Sequence, residues 1–156
     1  MLRSAAMSGN NEETILAATA VLADTKVDPE LESEARHYRS KALVNVGQMQ
    51  HAVKDWQVLA QDTRNVYGAE AKYRLAQYLF DAGKTSEAEK EVLNYLEVST
   101  PHAYWLARSF VLLSDIYAKL DRKLEARQYL LSLKQNYQAD DDIAGMIESR
   151  LENLKE

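Results

Sequence analysis

The chain contains no cysteine, and this one absence removes disulfides, zinc–thiolate sites and a thiol nucleophile together. It leaves the compartment open, because a helical domain needs no disulfide on either side of a membrane. Only 2 Pro and 5 Gly interrupt 156 residues, so strong breakers are scarce and long stretches are free to be helical. No apolar run approaches the roughly 18 residues that span a bilayer. The N-terminal Met1-Leu2-Arg3-Ser4-Ala5-Ala6-Met7 lacks the apolar centre of a secretory signal, so a soluble chain without direct membrane insertion is expected. An excess of positive charge is missing too. With 19 Lys and Arg interleaved among 24 Asp and Glu, the net charge is -5, which speaks against nucleic acid as a partner. The longest like-charge run is Asp140-Asp141-Asp142.

What is present is helical periodicity. Pro29 and Pro101 precede long helical patterns, and Gly47 and Gly83 follow them, the asymmetry expected of helix starts and ends. From Ala69, the residues Ala71, Leu75, Ala76 and Leu79 form one apolar stripe. Gly83 interrupts it, and Lys84-Thr85-Ser86-Glu87 is read as a turn. Ala88, Val92, Leu93 and Leu96 make a second stripe. So short a link between two amphipathic helices sets them antiparallel. The design recurs downstream, with Leu106, Phe110, Leu113, Tyr117 and Leu120, a turn at Asp121-Arg122-Lys123, then Ala126, Leu130, Leu133 and Tyr137. Upstream, a helix from about Glu30 to Gly47 is followed by Ala52, Trp56 and Leu59. The small residue early in each second helix falls at Ala52, Ala88 and Ala126, at spacings of 36 and 38, the mark of stacked helical hairpins.

The motif Tyr73-x-Leu75-Ala76-x-x-Leu79-Phe80-x-x-Gly83-x-x-x-Glu87-Ala88-x-x-x-Val92 resembles a tetratricopeptide repeat (TPR) in nearly every signature place. Residues 107–137 are similar but carry Ser114 and Asp121 where the family has small Ala and turn Gly. Residues 33–60 depart further, with Arg39 in place of Leu and Ser40 at the small position. The resemblance implies an all-α, right-handed α-solenoid of antiparallel helix pairs over residues 1–156. Its parts are a partial repeat at 2–28, a degenerate one at 30–66, a clear one at 69–98, another at 103–137 and a C-terminal capping helix at 140–155. It also suggests the C-terminal part of a larger bacterial TPR protein, in the cell envelope or periplasm if the longer chain is secreted and in the cytoplasm otherwise.

At the N-terminus, residues 2–10 read as the last turns of a first helix, closed by Gly9, before a return helix carrying Ile15, Leu16, Ala18, Val21 and Leu22. Two expectations fit: a natural cap, or a solenoid cut within a repeat and able to self-associate through the apolar face so exposed. At the C-terminus, Ile143, Ile147, Leu151 and Leu154 form one face of a helix. Asp140, Asp141 and Asp142 before it are expected to cap it rather than hold a cation.

No pattern points to catalysis, to a cofactor or to a metal. Gly83-Lys84-Thr85 echoes a phosphate loop, but Tyr78 stands where the first Gly belongs. His37, His51 and His102 show no metal or nucleophile spacing, and Glu34 with His37 on one helix face reads as a surface pair. Trp56, Tyr95, Tyr117, Tyr129 and Tyr137 fall at core spacing. Tyr104 and Trp105 are either a junction between units or an exposed anchor.

By resemblance, the first helix of each pair lines a concave groove that binds a protein or peptide. The implied groove residues are Glu70, Tyr73, Gln77, Phe80 and Asp81, then Arg108, Val111, Asp115 and Lys119, with His37, Lys41 and Asn45 from the degenerate repeat. Tyr73 and Gln77 are expected to be exposed. The mixed charges lack the Lys, Arg and Asn cluster that a C-terminal carboxylate requires. The expected function is a non-enzymatic interaction scaffold, and the alternative is a structural or oligomerising segment.

Overall fold

The computed structural model describes residues 1–98 and 100–155; Ser99 and Glu156 lie outside the described residues. Among the described residues there are nine α-helices and no strand. The helices are α1 (Leu2–Ser8), α2 (Asn11–Ala23), α3 (Pro29–Asn45), α4 (Met49–Leu59), α5 (Val66–Asp81), α6 (Thr85–Glu97), α7 (Ala103–Lys119), α8 (Lys123–Asn136) and α9 (Ile143–Asn153). No helix among the described residues is long and apolar enough to cross a membrane.

Local chemistry starts and stops these helices. Asn10 accepts the Glu13 N–H at 3.1 Å to open α2, and Asp28 accepts the Glu30 N–H at 2.9 Å to open α3, where Pro29 stands at the first position. The ends of α1, α3, α5 and α7 share one geometry. Gly9, Gly47, Gly83 and Asp121 adopt φ of 76°, 82°, 80° and 60°. The following N–H (Asn10, Gln48, Lys84 and Arg122) donates to the carbonyl five residues back (Ala5, Leu43, Leu79 and Tyr117). This closure satisfies carbonyls that the helix leaves over and requires a left-handed residue. Asp121 therefore does the work of a turn glycine at some steric cost.

The turn after α5 is shorter than the sequence suggests. The closure takes only Ala82-Gly83-Lys84, so Thr85, Ser86 and Glu87, read as turn, already form the start of α6. Three stripe assignments also shift. Leu16 is 71% exposed because α2 turns Thr14 and Ala18 inward, and Leu16 lies across the helix from Thr14. Leu93 is exposed while its neighbour Val92 is buried, and Leu120, just past the end of α7, is exposed as well.

The array resolves into two compact units, Met1–Lys72 and Tyr73–Glu156. In the first, α1 packs on α2 and α3, α2 on α3, and α3 on α4. Leu2, Ala18 and Ala35 form a cluster with Val21, Leu22 and Tyr38. Ala18, Ala35 and Ala52 are fully buried, as close approach of helices demands. Gly68 marks the tightest contact: a Cβ there would lie 1.9 Å from the Asp62 carbonyl oxygen and 2.5 Å from that of Leu59.

In the second unit, α6 packs on α7, α7 on α8, and α9 on both α7 and α8. One cluster joins Tyr73, Ala76, Ala88, Val92, Leu112, Leu113, Ile116, Tyr117 and Ala126. A second joins Ala107, Val111, Leu130 and Leu133 to Ile143 and Ile147, so α9 is a packed helix whose apolar face is used. Each fully buried Leu or Ile stabilises the fold by about 1.5–3 kcal/mol relative to exposure.

Candidate interaction surface

In the first unit, a buried ion cluster joins the helices. Asp55 is 1% exposed and sits on the inner side of α4 between Ala52 and Leu59, where an apolar residue would be expected. Two guanidinium groups of α3 hold it. Arg39 donates from Nε to Oδ2 at 2.8 Å and from a terminal nitrogen to Oδ1 at 2.6 Å, and Arg36 donates to Oδ1 at 3.2 Å. Arg39 also reaches the Thr19 hydroxyl at 3.3 Å, and its bond to Asp55 holds its pKa above the usual arginine value. Arg39, a departure from the repeat pattern, is thus compensated from α4. The signal in the sequence is an acidic residue at core spacing in α4, matched by two Arg on α3.

The other predicted residues of this unit lie apart from that cluster. The His37 ring stacks on Tyr67 with centroids 4.2 Å apart. Lys41 and Asn45 are exposed, Asn45 donating to Asn11 at 3.2 Å, and Glu70 is half-buried. Glu34, considered with His37 as the start of a metal pair, is taken by Arg3 in two bonds of 2.5 and 2.8 Å. The Arg3 hydrogen bond lowers the Glu34 pKa below its usual range. No group of three metal-ligating side chains occurs among the described residues.

In the second unit, the structure brings Tyr73, Gln77, Asp81 and Arg108 into one chain of hydrogen bonds on α5 and α7. Gln77 donates its amide to Asp81 at 2.8 Å and accepts the Tyr73 hydroxyl at 3.0 Å. Arg108 donates to the Tyr73 oxygen and to the Tyr104 oxygen, each at 3.0 Å. Tyr104 in turn donates to the Asp142 carboxylate at 2.9 Å. Burial raises the Tyr104 phenol above its ordinary pKa, so it stays protonated and able to donate. The Arg108 guanidinium also lies 4.8 Å from the centre of the Tyr73 ring, and Arg74 lies 5.4 Å from that of Trp105.

Tyr73 is 4% exposed, a correction to its expected exposure: its ring faces the cluster, and only its oxygen serves the network. Val111 is buried in the second cluster, and Phe80 packs partly into the first. Asp115 is bonded by Arg150 of α9 at 3.1 and 3.2 Å, while Lys119 is exposed. Trp105 packs against the first cluster and Tyr104 against the second, so the pair closes a junction while the Tyr104 oxygen joins the surface network. Asp141 accepts the Ile143 N–H at 2.9 Å, the capping role expected of the acidic triplet. The part played by Asp142 was hidden in the sequence, because Tyr104 lies 38 residues away.

Compared with protein-family models, curated proteins and solved structures, the chain matches none.

Proposed function

We propose that this chain is a right-handed α-solenoid of antiparallel TPR-type pairs, and that it acts as a non-enzymatic scaffold docking a partner segment on the first helices of its pairs. The observation that carries this reading is the connected face on α5 and α7. Four residues chosen by resemblance, Tyr73, Gln77, Asp81 and Arg108, share one hydrogen-bonded array. Such a preorganised polar face costs a partner little ordering energy on the scaffold side. The recurrent left-handed closures at Gly9, Gly47, Gly83 and Asp121 support the repeat reading independently. Simultaneous charge reversal at Asp81 and Arg108 abolishes capture of the partner from a lysate. Undiminished capture by the folded variant overturns the assignment of the face.

A second reading, self-association, is favoured by one observation in the first unit. A cavity of about 610 Å³ opens beside α1, α2 and α3, lined by Leu2, Ala17, Ala20, Val21 and Leu31 together with Arg3, Asp28, Glu30 and Glu34, and Leu16, next to Ala17 in the chain, is largely exposed. Light scattering decides it: on this reading the chain is a dimer that Leu16→Lys dissociates, and a monomer at all concentrations overturns it.

A further inference from the structure

Arg108 is a partly exposed cation held by two phenols and by a long ion pair with Asp142. Its side chain is 20% exposed, and both of its hydrogen bonds go to neutral phenols. The carboxylate that approaches it, Asp142, stays 4.0 Å away, beyond hydrogen-bonding range. The other two acids of this face are otherwise engaged, Asp81 by Gln77 and Asp115 by Arg150. A guanidinium has five N–H donors in a planar fork, so donors remain after Tyr73 and Tyr104 are served. The Asp142 carboxylate is half-exposed at the start of α9, accepts the Tyr104 hydroxyl and pairs with Arg108 at 4.0 Å. It shows which chemistry this corner accepts: a carboxylate set against a phenol and a guanidinium.

We propose, resting on the scaffold reading, that the partner segment is acidic. A side-chain carboxylate of the partner binds Arg108 through the fork, with an adjacent apolar residue against the half-buried Trp105 ring. Asp142 is the internal competitor for the same cation. Charge-assisted, bidentate bonding gives this contact its strength, and a lysine point charge cannot reproduce it.

Trp105 is the natural reporter, because a Trp56→Phe background leaves it as the single tryptophan. The probe is a hexapeptide of alternating Glu and Leu, acetylated and amidated so that only side-chain carboxylates are present, titrated into the full chain. The Gln–Leu counterpart is the first control, and a Gln–Leu peptide with a free C-terminal carboxylate is the second. The expected result is a saturable change in Trp105 emission with the Glu peptide and binding about tenfold weaker or worse with both controls. Arg108→Gln removes the preference, Arg108→Lys keeps only part of it, and Asp142→Asn tightens the Glu peptide several-fold. Circular dichroism verifies that each variant is folded, and the gain in Asp142→Asn tests the idea even if Arg108→Gln does not fold. Equal binding of the Glu and blocked Gln peptides overturns the acidic preference while leaving the scaffold reading in place. Preference for the free C-terminus replaces a side-chain ligand by a terminal one and overturns the proposal. No binding of any peptide also overturns it, and the lysate capture then decides separately whether the scaffold reading survives.

Discussion

Between α3 and α4 a carboxylate is buried under two guanidinium groups, whereas α7 and α8 meet through Ala107, Val111, Leu130 and Leu133. The contrast can be followed at one repeat position. Under the resemblance, Arg39 corresponds to Leu75 and Leu113, and Leu113 is fully buried. A buried ion pair gains little over apolar packing once desolvation is counted, but removing one partner strands the others. The first unit is therefore sensitive to single changes in its charges, and the second to changes in volume. The two also differ in where polar bonds lie: within the helix interface of the first, and on the surface network of the second.

The largest effect expected from this comparison is at Asp55. Asp55→Ala leaves Arg39 without its acid and Arg36 with Glu32, 3.6 Å away, and lowers stability by about 3–5 kcal/mol. Urea unfolding followed by Trp56 emission in a Trp105→Phe background measures it. Adding Arg39→Leu recovers part of that loss if the ion cluster, rather than the shape of Asp55, is responsible. A double variant no better than the single one breaks the comparison.

Gly68→Ala ranks next, at about 2–3 kcal/mol, because the added methyl meets two backbone carbonyls that cannot swing aside. Thermal unfolding of the variant checks this, and an unchanged midpoint contradicts the close contact between the start of α5 and the end of α4.

The second unit carries a pH dependence of its own. Burial, with a hydrogen bond to Asp141, pushes the Tyr137 phenol up to about 12. The native state then holds this proton more tightly than the unfolded chain, whose tyrosine titrates near pH 10. Its contribution is complete below about pH 10 and is lost as pH rises from there through about 12. Tyr137→Phe should flatten that part of the alkaline unfolding curve. Tyrosinate absorbance of the wild type should show one late-titrating group that the variant lacks.

The smallest effect, and the one with opposite sign, belongs to Asp121→Gly. At φ 60° glycine relieves the left-handed strain but adds freedom to the unfolded chain, leaving a gain of about 0.5 kcal/mol. The same glycine at a right-handed helix position would destabilise, so a clear loss at Asp121 would refute the shared closure of the four turns.

The sequence by itself determined the helices and their turns. Apolar periodicity, the Asn10 and Asp28 caps and the glycines at 9, 47 and 83 act within a few residues, and short-range sterics and hydrogen bonds decide them. Asp121, a departure from the turn Gly of the family pattern in the sequence, takes the left-handed conformation in the structure because the same closure requires it. The tertiary structure alone decided which side chains meet. Arg39 and Asp55 are 16 residues apart, Tyr73 and Arg108 35, and Tyr104 and Asp142 38. The resemblance placed Tyr73 and Arg108 on one face, but it expected Tyr73 to be exposed and did not include Tyr104 or Asp142. A helix face presents a polar residue at a height and angle, and only packing against the next helix selects the partner. That is why the succession of helices was readable from spacing, while the ion cluster of the first unit and the Arg108 corner of the second were not.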